Sequence, residues 1–111
     1  MSDEQNTKNA GVPGMSMLQK VIVDIWSQTL DTQLTSVDDH FFELGGRSVQ
    51  VVQCVFTLSE ILNVELTPEQ VFDAPTIALY SQSIVELDET DEEELQEICE
   101  LYMELKETPT D

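Results

Sequence analysis

The chain has 111 residues, enough for one small domain with tails, and 41% of them are hydrophobic, which allows a modest core. It holds 23 acidic and only 4 basic residues, a formal net charge of -19. This charge argues against nucleic acid and against anionic membrane surfaces as partners, because both require Lys and Arg on the protein. Basic protein surfaces are the expected partners, attracted at long range and sensitive to salt.

The N-terminal segment, residues 1–14, is polar and contains Gly and Pro near its end, so we expect a disordered leader or linker. It lacks the apolar core of a signal peptide, and no later apolar run has the length of a membrane span. A cytoplasmic location is therefore expected. The two cysteines, Cys54 and Cys99, show no metal-binding spacing and lie on apolar helical stripes, so we expect packed thiols.

A first helix is predicted from residue 15 to about residue 30, with Ser16 as its N-cap and Gln19 in the capping-box position. Its apolar residues recur at helical spacing: Leu18, Val21, Ile22, Ile25 and Trp26. An aromatic residue on such a stripe usually belongs to the core, so Trp26 is assigned to the core and not to a binding site.

A long loop without strong periodicity follows, from residue 31 to residue 46, and a loop of this length is either functional or poorly ordered. Four apolar side chains are expected to hold it against the bundle: Leu34, Val37, Phe41 and Leu44. Its acidic residues Asp38, Asp39 and Glu43 lack the spacing of a calcium-binding loop, so no metal site is predicted. His40 is expected to be a surface imidazole.

The loop ends in Gly45, Gly46 and Arg47, and Ser48 then begins an apolar run that predicts a second helix to about residue 63. The glycines can adopt backbone angles that other residues resist, and they leave room for an approaching surface. Ser48 is thus expected at a helix start, where the macrodipole and free backbone N–H groups favour a phosphate. The layout suits a hydroxyl that is modified with a phosphate ester.

Two further helices are predicted before residue 88. The Thr-Pro-Glu sequence at residues 67–69 starts a short third helix that ends near Phe72 or Asp73. Pro75 then breaks the chain, and Thr76 caps a fourth helix. The apolar face of this fourth helix is formed by Ile77, Tyr80, Ile84 and Leu87. Since no alternating run argues for a sheet, the predicted fold is all-α: a four-helix bundle with three main helices and one short one.

Residues 86–111 hold 12 of the 23 acidic groups, and residues 88–111 are expected to form a separate acidic extension. Thr90 and Glu93 have the spacing of a capping box, and an amphipathic helix is predicted from about Asp91 to Lys106. Its apolar stripe consists of Leu95, Ile98, Cys99, Tyr102 and Leu105, and its opposite face of Glu93, Glu97, Glu100 and Glu104. A lone helix of this length is marginal in water, so it either docks another protein or folds back on the bundle; the sequence favours neither.

The stretch from Asp39 to Val52 closely resembles the phosphopantetheine attachment motif of carrier proteins, in the form D-x-F-F-x-L-G-G-x-S typical of peptidyl carrier domains. The matching residues are Asp39, Phe41, Phe42, Leu44, Gly45, Gly46 and Ser48. The resemblance extends from about residue 17 to residue 85. It divides the chain into a leader (1–14), a carrier domain (15–87) and an acidic extension (88–111).

The resemblance implies a non-catalytic carrier in nonribosomal peptide or hybrid polyketide biosynthesis. Ser48 would bear a covalent 4'-phosphopantetheine arm that holds acyl or aminoacyl groups as thioesters. A phosphopantetheinyl transferase would attach the arm from coenzyme A. Adenylation, condensation, acyltransferase or thioesterase-type enzymes would then act on a monomeric carrier.

The residues around the predicted attachment serine follow from the same resemblance. Gly45, Gly46 and Arg47 would adjoin the arm at Ser48. The predicted partner contacts are Leu44, Val49, Val71 and Phe72. Two positions depart from the commonest family pattern, since Arg47 replaces His or Asp and Val49 replaces Leu. Both lie where partner enzymes would touch, so the choice of partner is open.

Two other functions are considered. A small hydrolase with Ser48 as its nucleophile lacks an evident Asp–His pair, and Gln50 stands where a G-x-S-x-G motif requires Gly. An acidic helical adaptor without a prosthetic group is the alternative, in which Gly-Gly-Arg-Ser is only a loop and a helix start. The cargo and the pathway are not specified by the sequence.

Overall fold

The computed structural model describes residues 16–34, 36–87 and 90–107, and every regular element within them is a helix. In chain order these are α1 (Met17–Leu30), α2 (Ser48–Leu62), α3 (Pro68–Asp73), α4 (Ile77–Val85) and α5 (Glu92–Glu107). The predicted all-α bundle of three main helices and one short one, extended by an acidic helix, is confirmed. None of the helices in these ranges combines the length and apolarity needed to cross a membrane. The predicted leader, residues 1–14, lies outside the described residues.

Two predicted N-caps are present. The Ser16 hydroxyl accepts the backbone N–H of Gln19 at 3.2 Å, and the Gln19 side chain accepts the backbone N–H of Ser16 at 3.1 Å, which completes a capping box on α1. The Thr76 hydroxyl accepts the backbone N–H of Leu79 at 3.2 Å and so caps α4. These bonds satisfy backbone donors that have no acceptor within their own helix.

The predicted capping box at the start of α5 was wrong. The carboxylate of Asp91 accepts the backbone N–H groups of Glu93 and Glu94, at 3.0 and 3.3 Å. The Thr90 hydroxyl instead donates to the carbonyl of Ile84, at 2.9 Å. The Thr90 side chain thus bonds the start of α5 to α4. Asp91, the next residue in the chain, accepts the free backbone N–H groups and caps α5.

Trp26 lies at the centre of the core, fully buried, as predicted. Its ring meets Phe41 edge-on at a centroid distance of 4.8 Å and approaches Tyr80 at 5.6 Å. Such aromatic contacts stabilise beyond the area that they bury. The three rings belong to α1, to the long loop and to α4, so this cluster joins the loop to two helices.

The long loop is fixed to the segment between α3 and α4. Leu34 and Phe41 are buried, and Val37 and Leu44 pack partly against the core, as expected. The backbone N–H of Phe41 donates to the carbonyl of Pro75 at 2.8 Å. His40 forms an isolated β-bridge with the neighbouring residue, Thr76. The loop is therefore held by backbone bonds as well as by side chains.

Helix α5 folds back on the bundle, which decides between the two alternatives for its apolar stripe. Leu95 and Cys99 are buried in the same core as the residues of α1 and α2. The Tyr102 hydroxyl donates to the carboxylate of Asp24 on α1 at 2.6 Å, and the Lys106 ammonium lies 3.4 Å from the same carboxylate oxygen. The buried part of the stripe therefore serves the fold and not a separate protein.

Both cysteines are buried, as predicted. Burial raises the pKa of the Cys54 thiol to about 11, partly offset by a hydrogen bond with Thr29. Burial also raises the pKa of the Cys99 thiol to about 11, with a smaller contribution from the charge of Glu100. Both side chains act as small apolar residues of the core.

Candidate functional site

Ser48 is the first residue of α2, and its side chain is exposed. The preceding residue, Arg47, has extended backbone angles and is also exposed. The first N–H groups of an α-helix have no acceptor within the helix, and they place partial positive charge at its start. The Ser48 hydroxyl therefore lies at a position that favours an anionic group, with a guanidinium on the adjacent residue.

Gln50 fixes the start of α2 to the end of α1. Its side-chain oxygen accepts the backbone N–H of Arg47 at 2.9 Å, and its side-chain nitrogen donates to the carbonyl of Thr29 at 3.3 Å. Ser48 lies between Arg47 and Gln50 in the chain, within the turn that these two bonds hold in place. Sequence reasoning missed this role of Gln50, although a Gln three residues after a helix-capping position is a recognisable signal.

The two glycines before Ser48 serve different purposes. Gly45 has a φ of 100°, which L-residues rarely adopt. A Cβ on Gly46 would overlap the ring of Phe41 and lie 2.7 Å from its carbonyl oxygen. The backbone N–H of Gly46 donates to that same carbonyl at 3.0 Å. Gly45 thus permits the turn, and Gly46 permits its close approach to a buried aromatic residue.

Gly46→Ala is expected to lower the free energy of unfolding by about 1–3 kcal/mol, the usual cost of overpacking. Phe41 is fully buried against Trp26, so its ring has no free space to move into. Thermal denaturation monitored by circular dichroism measures the change. Ser48→Ala, at an exposed position two residues away, is the matched control and should melt with the parent protein. An unchanged melting temperature for Gly46→Ala would contradict the packing role of Gly46.

Three of the four predicted partner contacts have accessible or partly accessible side chains. Val49 on α2 is 62% exposed, and Phe72 on α3 is 49% exposed. Phe72 stacks on Phe42 with a centroid distance of 5.2 Å and an interplanar angle of 11°. Leu44 is half-buried and packs against the core. The fourth prediction, Val71, was wrong, because its side chain is fully buried and cannot reach a partner.

Two exposed apolar residues of α2 were missed as candidate contacts. Val52 is 54% exposed and Phe56 is 66% exposed, and together with Val49 they recur at i, i+3 and i+7. This spacing places all three on one side of the helix. This spacing is present in the sequence, but the core residues of α2 also recur at helical spacing, so the exposed set was not recognised.

An all-helical bundle with an exposed serine at a helix start, behind a Gly pair, defines a carrier-type domain. The model of the family described as "Phosphopantetheine attachment site" matches residues 20–84, more than half of the chain. The chain therefore belongs to this family, whose members bear 4'-phosphopantetheine covalently on a serine. The residues observed here fit such a group: an accessible hydroxyl, an open helix start and an adjacent cation.

Relatives and solved structures agree with the family. The large subunit of L-2-aminoadipate reductase from Candida glabrata is 37% identical over 75 residues, which cover 66% of this chain and 6% of that protein. A dimodular nonribosomal peptide synthase from Bacillus subtilis is 37% identical over 60 residues, which cover 54% of this chain and 2% of that protein. The chain thus spans only a small fraction of these relatives.

A solution structure of an extended docking domain complex, PaxA T1-CDD/PaxB NDD of the Pax NRPS, superimposes with a TM-score of 0.60. It is 32% identical in sequence, and the match covers 75% of this chain and 82% of that one. The similarity supports the carrier-type bundle described above.

Proposed function

We propose that the chain is a carrier in nonribosomal peptide or hybrid polyketide biosynthesis and that Ser48 is its attachment residue. The observation that supports this most directly is the exposed Ser48 at the start of α2, behind Gly45 and Gly46 and inside the family match. When bound, 4'-phosphopantetheine supplies a terminal thiol that holds acyl or aminoacyl groups as thioesters.

The residues of the chain present a nucleophile and an anion-binding position. In the transfer from coenzyme A, the Ser48 oxygen bonds to the phosphorus next to the pantetheine. The bond from that phosphorus to the nucleotide part breaks, and adenosine 3',5'-bisphosphate leaves. The hydroxyl proton passes to a base of the transferase. Arg47 and the first N–H groups of α2 would stabilise the resulting phosphodiester.

Partner enzymes perform all catalysis in this proposal. They are a phosphopantetheinyl transferase and adenylation, condensation, acyltransferase or thioesterase-type enzymes, and the carrier acts as a cytoplasmic monomer. The name of the Bacillus subtilis relative, a nonribosomal peptide synthase, supports this partner class. Val49, Val52, Phe56 and Phe72 are the proposed contacts because their side chains are exposed. The first three share one side of the helix that Ser48 begins, and Phe72 stacks on Phe42 of the loop that precedes Ser48. Leu44, which is half-buried, contributes its accessible edge.

The proposed division of the chain keeps a leader (1–14), a carrier domain (15–87) and an acidic extension (88–111). The family match at residues 20–84 lies entirely within the middle part, which supports that part as the carrier region. The alternative function, an acidic adaptor without a prosthetic group, is not favoured, because the match includes the complete attachment motif.

Intact mass spectrometry tests the proposed function. The purified chain is incubated with coenzyme A, Mg²⁺ and a phosphopantetheinyl transferase of broad specificity. One phosphopantetheine unit should be added per chain, and peptide mapping should place it on Ser48. No mass gain with several such transferases, or a gain at another residue, would refute the assignment.

A further inference from the structure

Helix α5 retains exposed apolar side chains after it has packed on the bundle. Leu101 is 56% exposed and Leu105 is 66% exposed, although Leu95 and Cys99 of the same helix are buried. Leu101 and Leu105 are four residues apart, so they are neighbours on one face of the helix. We call them the outer leucine pair. The fold does not bury this pair, and the sequence pattern had assigned Leu105 to the apolar stripe and missed Leu101.

Acidic side chains predominate along one side of the outer leucine pair. Four exposed glutamates recur at i, i+4, i+7 and i+11 along the adjoining side of α5, namely Glu93, Glu97, Glu100 and Glu104. The single Lys of the helix, Lys106, lies 3.4 Å from the Asp24 carboxylate on α1. The apolar pair is therefore bordered by a glutamate row, and the one cation of α5 is engaged by a carboxylate of the bundle.

The apolar residues exposed on α2 have fewer acidic neighbours on their own helix. That helix contains one acidic residue, Glu60, and no basic residue beyond its preceding Arg47. Phe56 has Glu60 one turn further along the helix, whereas Val52 has no acidic residue within one turn on α2. Along its own helix, the exposed face of α2 is therefore less acidic than the face of α5 that carries the outer leucine pair.

The charges also indicate what can cover the outer leucine pair. A second copy of this chain would bring two glutamate rows together in a protein of net charge -19, which like-charge repulsion opposes. The N-terminal residues 1–15 hold one Lys against Asp3 and Glu4, so they offer no compensating charge. A partner segment with apolar side chains flanked by Lys or Arg is complementary in both respects.

The surface lies at the same end of the bundle as the attachment serine. Lys106 and Tyr102 contact Asp24, and Thr29, five residues further along α1, accepts a hydrogen bond from Gln50 at the start of α2. Five residues of helix rise by only about 7.5 Å. The last turns of α5 therefore lie towards the end of the bundle that carries Ser48.

We propose that Leu101 and Leu105, with the glutamate row beside them, form a docking surface for a basic amphipathic helix of another protein. The two leucines would enter the apolar face of that helix, and the glutamates would pair with its flanking Lys or Arg side chains. This surface is separate from the exposed face of α2 and does not require modification of Ser48. A protein docked there would be held beside the attachment site.

Fluorescence anisotropy with a labelled synthetic peptide tests the proposal on the full, unmodified chain. The probe is an amphipathic helix with Leu on one face and Lys at its borders, and the control peptide has Glu in place of Lys. At about 0.15 M ionic strength, where distant charges are screened, the Lys peptide should bind the parent chain and the Glu peptide should not. Leu101→Gln/Leu105→Gln should weaken binding about tenfold or more, which corresponds to about 1.4 kcal/mol.

Leu79→Gln is the matched control, since Leu79 on α4 is a similarly exposed leucine (52%) with no proposed binding role and the change leaves the net charge the same. Binding of this variant should stay within about twofold. Equal binding by the parent and the double leucine variant would overturn the proposal. So would an absence of binding to the parent, or an equal loss of binding in the double leucine variant and the control variant. Self-association of the chain through the leucines would overturn it in favour of a second copy. If the double variant melts lower than the parent, Leu105→Gln alone decides by the same comparison.

Discussion

Ser48→Ala is expected to abolish phosphopantetheine attachment completely and to leave the melting temperature of the protein unchanged. The substitution removes the hydroxyl that would bond to phosphorus, and no partial activity can replace it. The side chain is exposed, and surface substitutions of this kind usually change the free energy of unfolding by less than about 0.5 kcal/mol. Intact mass and thermal denaturation measure the two outcomes on the same sample.

Thr57→Ala provides the matched control, because Thr57 carries an exposed hydroxyl on the same helix. This variant should be modified to the same extent as the parent chain. Attachment to Ser48→Ala would show that a different hydroxyl accepts the arm. A folded parent chain that accepts the arm and a Ser48→Ala variant that does not would together establish the attachment residue.

Deletion of residues 89–111 is expected to lower the melting temperature by about 10 °C or more. Removing a buried Leu typically costs about 2–5 kcal/mol, and about 1 kcal/mol corresponds to about 4–8 °C in a domain of this size. The deletion exposes core that Leu95 and Cys99 cover, and it removes the hydrogen bond from Tyr102 to Asp24. Differential scanning calorimetry of the parent and the truncated chain measures the loss.

Leu95→Ala should reproduce a large part of the loss, whereas Leu101→Gln/Leu105→Gln should melt close to the parent because these leucines are exposed. This pair of variants separates the contribution of α5 to the fold from any contribution to recognition. A truncated chain that melts with the parent would show that α5 is not part of the cooperative unit.

The helices and their buried faces could be predicted because the patterns that specify them lie within short stretches of the sequence. Trp26 lies on a clear helical stripe, and the caps at Ser16 and Thr76 depend on residues only three positions apart. The buried side chain of Val71 could not be predicted in the same way. Helix α3 has six residues, Pro68–Asp73, too few for periodicity to separate the buried Val71 from the exposed Phe72.

Contacts between distant segments could not be predicted, because each depends on residues that are far apart in the chain. Asp24 is an ordinary acidic residue in its local sequence, yet its carboxylate accepts hydrogen bonds from Gln28 and Tyr102 and lies near Lys106. Phe41 likewise donates its backbone N–H to Pro75, a distant partner in the chain that no local pattern identifies. The attachment motif could be recognised because its residues lie close together in the sequence. The hydrogen bond from Gln50 to Thr29, which holds the start of α2, could not be predicted.

The burial of both cysteines has a consequence for selective chemical labelling. Both thiols are fully buried, and burial raises the pKa of each to about 11, which disfavours the thiolate, the reactive form, at about pH 8. Maleimides and iodoacetamides are therefore expected to react slowly with both sulfurs of the folded, unmodified polypeptide. A fluorescent tag attached under native conditions would report occupancy of the carrier directly, without substitution of either native cysteine.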